Sequence, residues 1–200
     1  LAAGLGIDDP IICSNGSQVF SCPGGATWLD QTMPPKVALR FARLADEMNW
    51  EMSNTVGSTI YLKQRPGQSL GLITGTKKMV VEKNADGIVG DVIRILVWHP
   101  DAIQAFCRMC ETELSELCYT TIYYKPDGSL NSLGVFALGA DKATALELVL
   151  ARLRIPVSEV MAIGDNDNDL PMFAQAGFKV AVRNGTQLLK DAADVVAPSN

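Results

Sequence analysis

Apolar and polar positions change period along the chain, and each change marks an expected element. "PIIC", Pro10–Cys13, is a short apolar run that ends in Ser-Asn-Gly, read as a strand entering a turn and a second short strand. "CPGG" reads as a turn and "ATWLD" as the returning strand of a hairpin. Pro34 and Pro35 then introduce a helix with Val37, Phe41, Leu44 and Met48 on one face. From Glu51 to Trp98 the pattern becomes short strands and turns, including "STIYLK", "KKMVVEKNADG" and "VIRILVW". A second amphipathic helix is expected over roughly Asp101 to Leu117, then a hairpin, "YTTIYYKPDGSLNSLGVFAL", turning at Pro-Asp-Gly.

The last third has another rhythm. A helix from Asp141 to Arg154 should bury Leu146, Val149, Leu150 and Leu153. Strand "EVMAIG", an acidic loop, helix "LPMFAQAG", strand "FKVAV", helix "TQLLKDAA" and strand "DVVA" come next, with short connections. Alternating helices and strands on short loops predict a parallel sheet covered by helices. The fold expected is therefore α/β, with a Rossmann-like core over residues 1–32 and 133–200. An antiparallel α+β module, residues 33–132, is inserted in it.

Composition narrows the function. The 200 residues are 48% hydrophobic and 20% charged, enough to bury a core and too apolar for disorder. A net charge of -5 argues against nucleic acid or an anionic membrane as main partner. No apolar stretch reaches the ~18 residues of a spanning helix. Five cysteines and no signal peptide predict reduced thiols and a cytoplasmic protein. The C-x-x-C at Cys107 and Cys110 lies within a helical pattern, and His99 is the only histidine, so buried free thiols are expected rather than a zinc site.

Chemistry concentrates in "GDNDND", where Asp165, Asp167 and Asp169 crowd one loop at a strand end. Carboxylates that close repel unless a cation or hydrogen bonds hold them. Helix capping accounts for one of them, and an EF-hand fails, since Leu170 and Ala176 stand where its glycine and glutamate belong. Lys142, in the first turn of a helix, opposes the positive end of the helix dipole, at a cost of about 0.3–1 kcal/mol. It is either a tolerated surface lysine or a group aimed at an anion and at the aspartates of the next strand tip. Asn15 and Gly16, at another strand end, are candidates for the same rim, because open α/β sheets bind ligands beyond the carboxyl ends of their strands.

Together "SNGSQVF", "ADKATAL" and "MAIGDNDNDLPMFAQAGFKVAVRNGTQLLKDAADVV" resemble the haloacid-dehalogenase-like phosphatases, of the Cof-type branch with a large α/β cap (type IIB). The resemblance implies a Mg²⁺-dependent phosphomonoesterase that works through an aspartyl-phosphate on small phosphorylated metabolites, sugar or nucleotide phosphates. It implies Asp165 as Mg²⁺ ligand and Lys142 steadying the phosphate and the nucleophile. Asn168, Asn15 and Gly16 would lie near the phosphate, and Asp169 would orient Lys142 or contact the metal through water. Asp167 receives no role and is expected to be a solvated turn residue.

Departures accompany the likeness. Asp141-Lys142-Ala143 stands where Ser-Lys-Gly is usual, adding a carboxylate near the site, and Val182-Arg183-Asn184-Gly185 replaces Met-Gly-Asn-Ala. The D-x-D-x-T nucleophile motif and the Ser/Thr motif after it are absent from the sequence. In the family both lie upstream of "PIIC". The opening "LAAGLGIDDP", without methionine and reading as a helix tail closing at Gly4 or Gly6, leads us to expect an N-terminally truncated fragment, inactive alone. A non-catalytic binding protein on the same scaffold is the alternative, and a simple metal-binding module a weaker third. Oligomeric state and substrate are not legible.

Overall fold

The computed structural model describes residues 6, 8–22, 24–63, 77–125 and 128–198. The helix tail expected at Gly4 and the Pro126-Asp127 half of the Pro-Asp-Gly turn lie outside them.

The chain opens with three antiparallel strands, β1 (Ile11–Cys13), β2 (Gln18–Phe20) and β3 (Thr27–Asp30). Between β1 and β2 the chain reverses through Ser14, Asn15 and Gly16, whose φ angles of 51°, 60° and 99° are all left-handed. Helix α1 (Pro35–Glu47) starts with proline at its first turn, where the missing N–H costs nothing, and buries Val37, Ala38, Phe41, Ala42 and Ala45. Met48, expected on that face, is the residue after the helix and is 55% exposed.

Strands β4 (Met52–Val56), β5 (Thr59–Lys63), β6 (Lys77–Val81) and β7 (Arg94–Val97) come next, then helix α2 (Pro100–Thr112). The helix ends at Thr112, short of Leu117, which is exposed, while Leu114 is buried in the turn beyond. Strands β8 (Cys118–Tyr124) and β9 (Leu130–Ala137) complete one six-stranded sheet in the order β6-β5-β4-β7-β9-β8. The Phe41 and Phe106 rings of α1 and α2 meet at 4.9 Å between centroids. The β5–β6 pair is parallel, contrary to the antiparallel expectation, because apolar alternation records which face a residue takes and not strand direction.

The chain divides into two compact units, one spanning Gln31–Leu138, the other formed by residues up to Asp30 and from Gly139 onward. The core was expected to resume at residue 133, but β9 pairs with both β7 and β8, so residues 133–137 belong to the inserted unit.

In the second unit, α3 (Lys142–Leu153) leads to β10 (Met161–Gly164), α4 (Leu170–Phe173), β11 (Phe178–Ala181), α5 (Gln187–Ala192) and β12 (Val195–Val196). Strands β10, β11 and β12 form a parallel sheet in that order. Ala162, Phe173, Ala176, Ala181 and Leu189 make one cluster, packing α4 and α5 on that sheet. Ala145 and Val149 of α3 pack with Val19 in another. Leu153, expected inside, is 43% exposed, while Ala145 near the start of the helix is buried. No helix among the described residues is long and apolar enough to cross a membrane.

Candidate active site

Strand β10 ends at Gly164, just before Asp165, and the missing side chain of Gly164 makes room for Asp169. A Cβ at Gly164 would lie 2.7 Å from Asp169 Cβ and 2.9 Å from Asp169 Oδ2. Asp169 therefore folds back over the strand tip and is 3% exposed. Its Oδ2 accepts from the Asp165 N–H at 2.9 Å and the Asn166 N–H at 3.1 Å. Its Oδ1 accepts from Lys142 Nζ in an ion pair. Burial alone would raise the Asp169 carboxyl. The Lys142 hydrogen bond and charge and the two backbone donors outweigh it and hold the group below the ordinary carboxylate range.

Lys142 opens α3, and its place at the positive end of that helix is compensated locally. The Asp141 carboxylate caps the helix, accepting from the Ala143 and Thr144 N–H groups at 2.9 Å each and from Thr144 Oγ1 at 2.9 Å. The carboxylate that the Asp-Lys-Ala variation was expected to add to the site is thus a cap. Lys142 pairs with Asp169 and keeps 28% of its side chain exposed.

Asn15 and Gly16 approach the same place from the β1–β2 turn. A Cβ on Gly16 would fall 2.1 Å from the Asp141 carbonyl oxygen, a contact only glycine allows. Asn15 Oδ1 accepts from Asn168 Nδ2 at 2.7 Å, tying this turn to the acidic loop. The structure thus brings together Asn15, Gly16, Lys142, Asn168 and Asp169, while Asp165 is exposed beside them.

Two adjoining recesses result. One, of about 440 Å³, is lined by Lys142, Ile163, Gly164, Asp165, Asp169, Val182 and Asn184. The other, of about 250 Å³, is lined by Ile12, Asn15, Gly16, Lys142, Ile163, Asp169 and Met172. Lys142 and Asp169 border both.

Asp167, expected to be a plain solvated residue, has a partner: its Oδ1 accepts from Thr186 Oγ1 at 2.5 Å. Thr186 also caps α5 and donates its N–H to the Asp165 carbonyl at 3.0 Å. In the sequence Thr186 stands at the start of the helix "TQLLKDAA", with no sign that it touches the acidic loop.

Among the described residues no group of three or more His, Cys, Asp or Glu side chains could hold a metal. Asp165, exposed in the larger recess, is the carboxylate that could hold a Mg²⁺ ion, which keeps several waters and takes one or two carboxylates together with substrate oxygens. All five cysteines are free, with the Cys110 and Cys118 sulfurs 3.5 Å apart in the inserted unit.

Lys142 and Asp169 thus border recesses at the carboxyl end of a parallel sheet, the place where open α/β sheets bind ligands. The family profile of the haloacid dehalogenase-like hydrolases matches residues 1–200, and the chain belongs to that family. It is 48% identical over 58 residues to a phosphoglycolate phosphatase of Archaeoglobus fulgidus, 29% of this chain and 26% of that protein's length. A haloacid dehalogenase-like hydrolase from B. subtilis shares the fold, with a TM-score of 0.78 at 21% identity over 98% of this chain and 76% of its own. So does a subclass IIB sugar phosphatase, with a TM-score of 0.76 at 17% identity over 98% of this chain and 72% of its own.

Proposed function

We propose that this chain supplies the phosphate- and metal-holding part of a Mg²⁺-dependent phosphomonoesterase acting on small phosphorylated metabolites, sugar or nucleotide phosphates among them. The observation that carries the reading is the Lys142 ammonium paired with buried Asp169 at the edge of two recesses, with the Asp165 carboxylate exposed alongside. The family profile and the phosphatases named above support it.

When bound, Mg²⁺ would supply charge neutralisation of the phosphate oxygens. Asp165, in the larger recess, is the carboxylate to hold it. Both Asp169 oxygens are engaged by Lys142 and by backbone N–H groups, so we assign Asp169 to fixing Lys142 and the loop rather than to direct metal contact. Lys142 would hold phosphate oxygens by charge-assisted hydrogen bonds, with Asn15 and Asn168 on the neighbouring rim. The reaction class is transfer of the phosphoryl group to a carboxylate and then to water, as in aspartyl-phosphate enzymes. The sequence holds no D-x-D-x-T, so we assign the attack on phosphorus to none of these 200 residues and expect no turnover from them alone.

The test is Mg²⁺-dependent hydrolysis of p-nitrophenyl phosphate by the protein that carries this chain. Asp165→Asn and Lys142→Ala should each remove at least ~99% of it, in line with losing a charge-stabilising group. Near-normal turnover in either variant overturns the assignment. Phosphate binding without any hydrolysis by the unaltered protein would favour a non-catalytic role.

A further inference from the structure

The main chain of Asp165 is held on both sides. Its N–H donates to Asp169 Oδ2 at 2.9 Å, and its C=O accepts from the Thr186 N–H at 3.0 Å. The first tie lies within the acidic loop. The second comes from the turn between β11 and α5, and it anchors the loop to a separate element.

That turn fits closely. A Cβ on Gly185 would come 3.0 Å from the Val182 carbonyl oxygen and 3.3 Å from that of Asp165. The Thr186 hydroxyl accepts from the Leu189 N–H at 3.3 Å and donates its one proton to Asp167 Oδ1 at 2.5 Å. The loop does not need the Asp167 carboxylate for its own backbone. Asn166 Oδ1 takes the Asp167 N–H at 2.8 Å, and Asp169 Oδ2 takes those of Asp165 and Asn166. The contact that the Asp167 carboxylate makes among the described residues is therefore directed across the gap to Thr186.

From these contacts we infer that Asp167 is a positioning residue for the Asp165 carboxylate, acting through Thr186. The inference rests on the reading that Asp165 holds a divalent cation. Asp167 fixes the Thr186 hydroxyl, Thr186 fixes the Asp165 carbonyl, and the Asp165 side chain is left with few directions to point. Turning Asp167 toward Thr186 also leaves Asp165 as the exposed carboxylate of the larger recess.

Mn²⁺ titrated into the full chain, with the free ion followed by electron paramagnetic resonance, tests this without turnover. Asp165→Asn should abolish binding. Asp167→Ala and Thr186→Val should each weaken it about fivefold, the effect of one ordering hydrogen bond, and the double variant should be no worse than either. Asp167→Asn and Thr186→Ser keep an acceptor and a donor, and should bind within about twofold of the unaltered chain. The Thr186 amide, followed by hydrogen exchange without metal, should exchange faster in Asp167→Ala and not in Asp165→Asn.

Unchanged Mn²⁺ affinity in Asp167→Ala, with binding lost in Asp165→Asn, overturns the positioning role and leaves the Asp165 assignment standing. A lower melting temperature in Asp167→Ala with unchanged affinity does the same, since it shows a structural role alone. Binding that survives in Asp165→Asn, or is absent from the unaltered chain, removes the reading on which the inference rests and the inference with it.

Discussion

Gly16 and Asp141 are in contact closer than any side chain allows, 2.1 Å from an added Cβ to the carbonyl oxygen, and the Gly16 φ of 99° is one that L residues avoid. This contact seats the Asn15 turn on the start of α3. Gly16→Ala must displace one backbone from the other, and should cost about 2 kcal/mol or more. Urea melts of the two proteins measure it. The substitution should also weaken phosphate binding, because Asn15 is carried away from Lys142. A variant with unchanged melting would mean that the two segments move apart freely.

Ser17, the next residue, is 0% exposed, and its Oγ has no hydrogen-bond partner among the described residues. A buried hydroxyl left unpaired costs about 1–3 kcal/mol, and removing it leaves only a small void. Ser17→Ala is therefore expected to stabilise the protein by about 1 kcal/mol, or a rise of roughly 2–4 °C in Tm for a chain of this size. Differential scanning calorimetry decides it, and a lower Tm would show that a water or another group satisfies the hydroxyl.

How much of the fold and site is legible in the sequence depends on the kind of contact. That Lys142 lies near the acidic loop can be expected from the chain, because the helix bearing the lysine runs straight into the strand whose tip opens that loop. Asp169 as its partner is one of two roles that the family resemblance implies. The parallel direction of β10, β11 and β12 is legible from alternating elements with short loops, and their order is not. The Asp167–Thr186 bond cannot be read, since it joins two turns 19 residues apart and depends on rotamers. Nor can the role of Asp141, whose carboxylate is equally plausible as a cap and as an active-site charge until its hydrogen bonds are seen. The parallel β5–β6 pair is hidden for another reason: residue periodicity carries faces and not directions.

Within the inserted unit Asn84 is a buried side chain that joins α1, the turn after it and β4. Its Oδ1 accepts from the Met52 N–H at 3.2 Å, and its Nδ2 donates to Asp46 Oδ1 and to the Trp50 carbonyl, both at 2.9 Å. Asn84→Ala leaves the buried Met52 N–H without its partner and weakens the hold on α1. It should cost about 2–3 kcal/mol. Trp50, 7% exposed, should report the loss as a red-shifted fluorescence at lower urea. Asn84→Asp, which keeps the acceptor but sets a second carboxylate beside Asp46, should be at least as damaging.

The Asp169 carboxyl gives the pH test its sign. Its folded value lies below the ordinary one, so ionised Asp169 stabilises the fold fully above the unfolded value of about 3.9. The stabilisation then disappears as pH falls through the lower, folded value. Asp169→Asn lacks this titration and loses the Lys142 ion pair. At neutral pH it should be less stable by about 2 kcal/mol, a figure reduced for the part of Lys142 that stays exposed. The gap between the two proteins, from urea midpoints between about pH 2.5 and 7, should be constant above about pH 5 and close on acidification. A gap that widens toward low pH would mean that burial outweighs Lys142 and the two backbone donors at this carboxylate. Asp169 would then be protonated more readily than an ordinary aspartate, and Lys142 would lack the counter-charge that orients it.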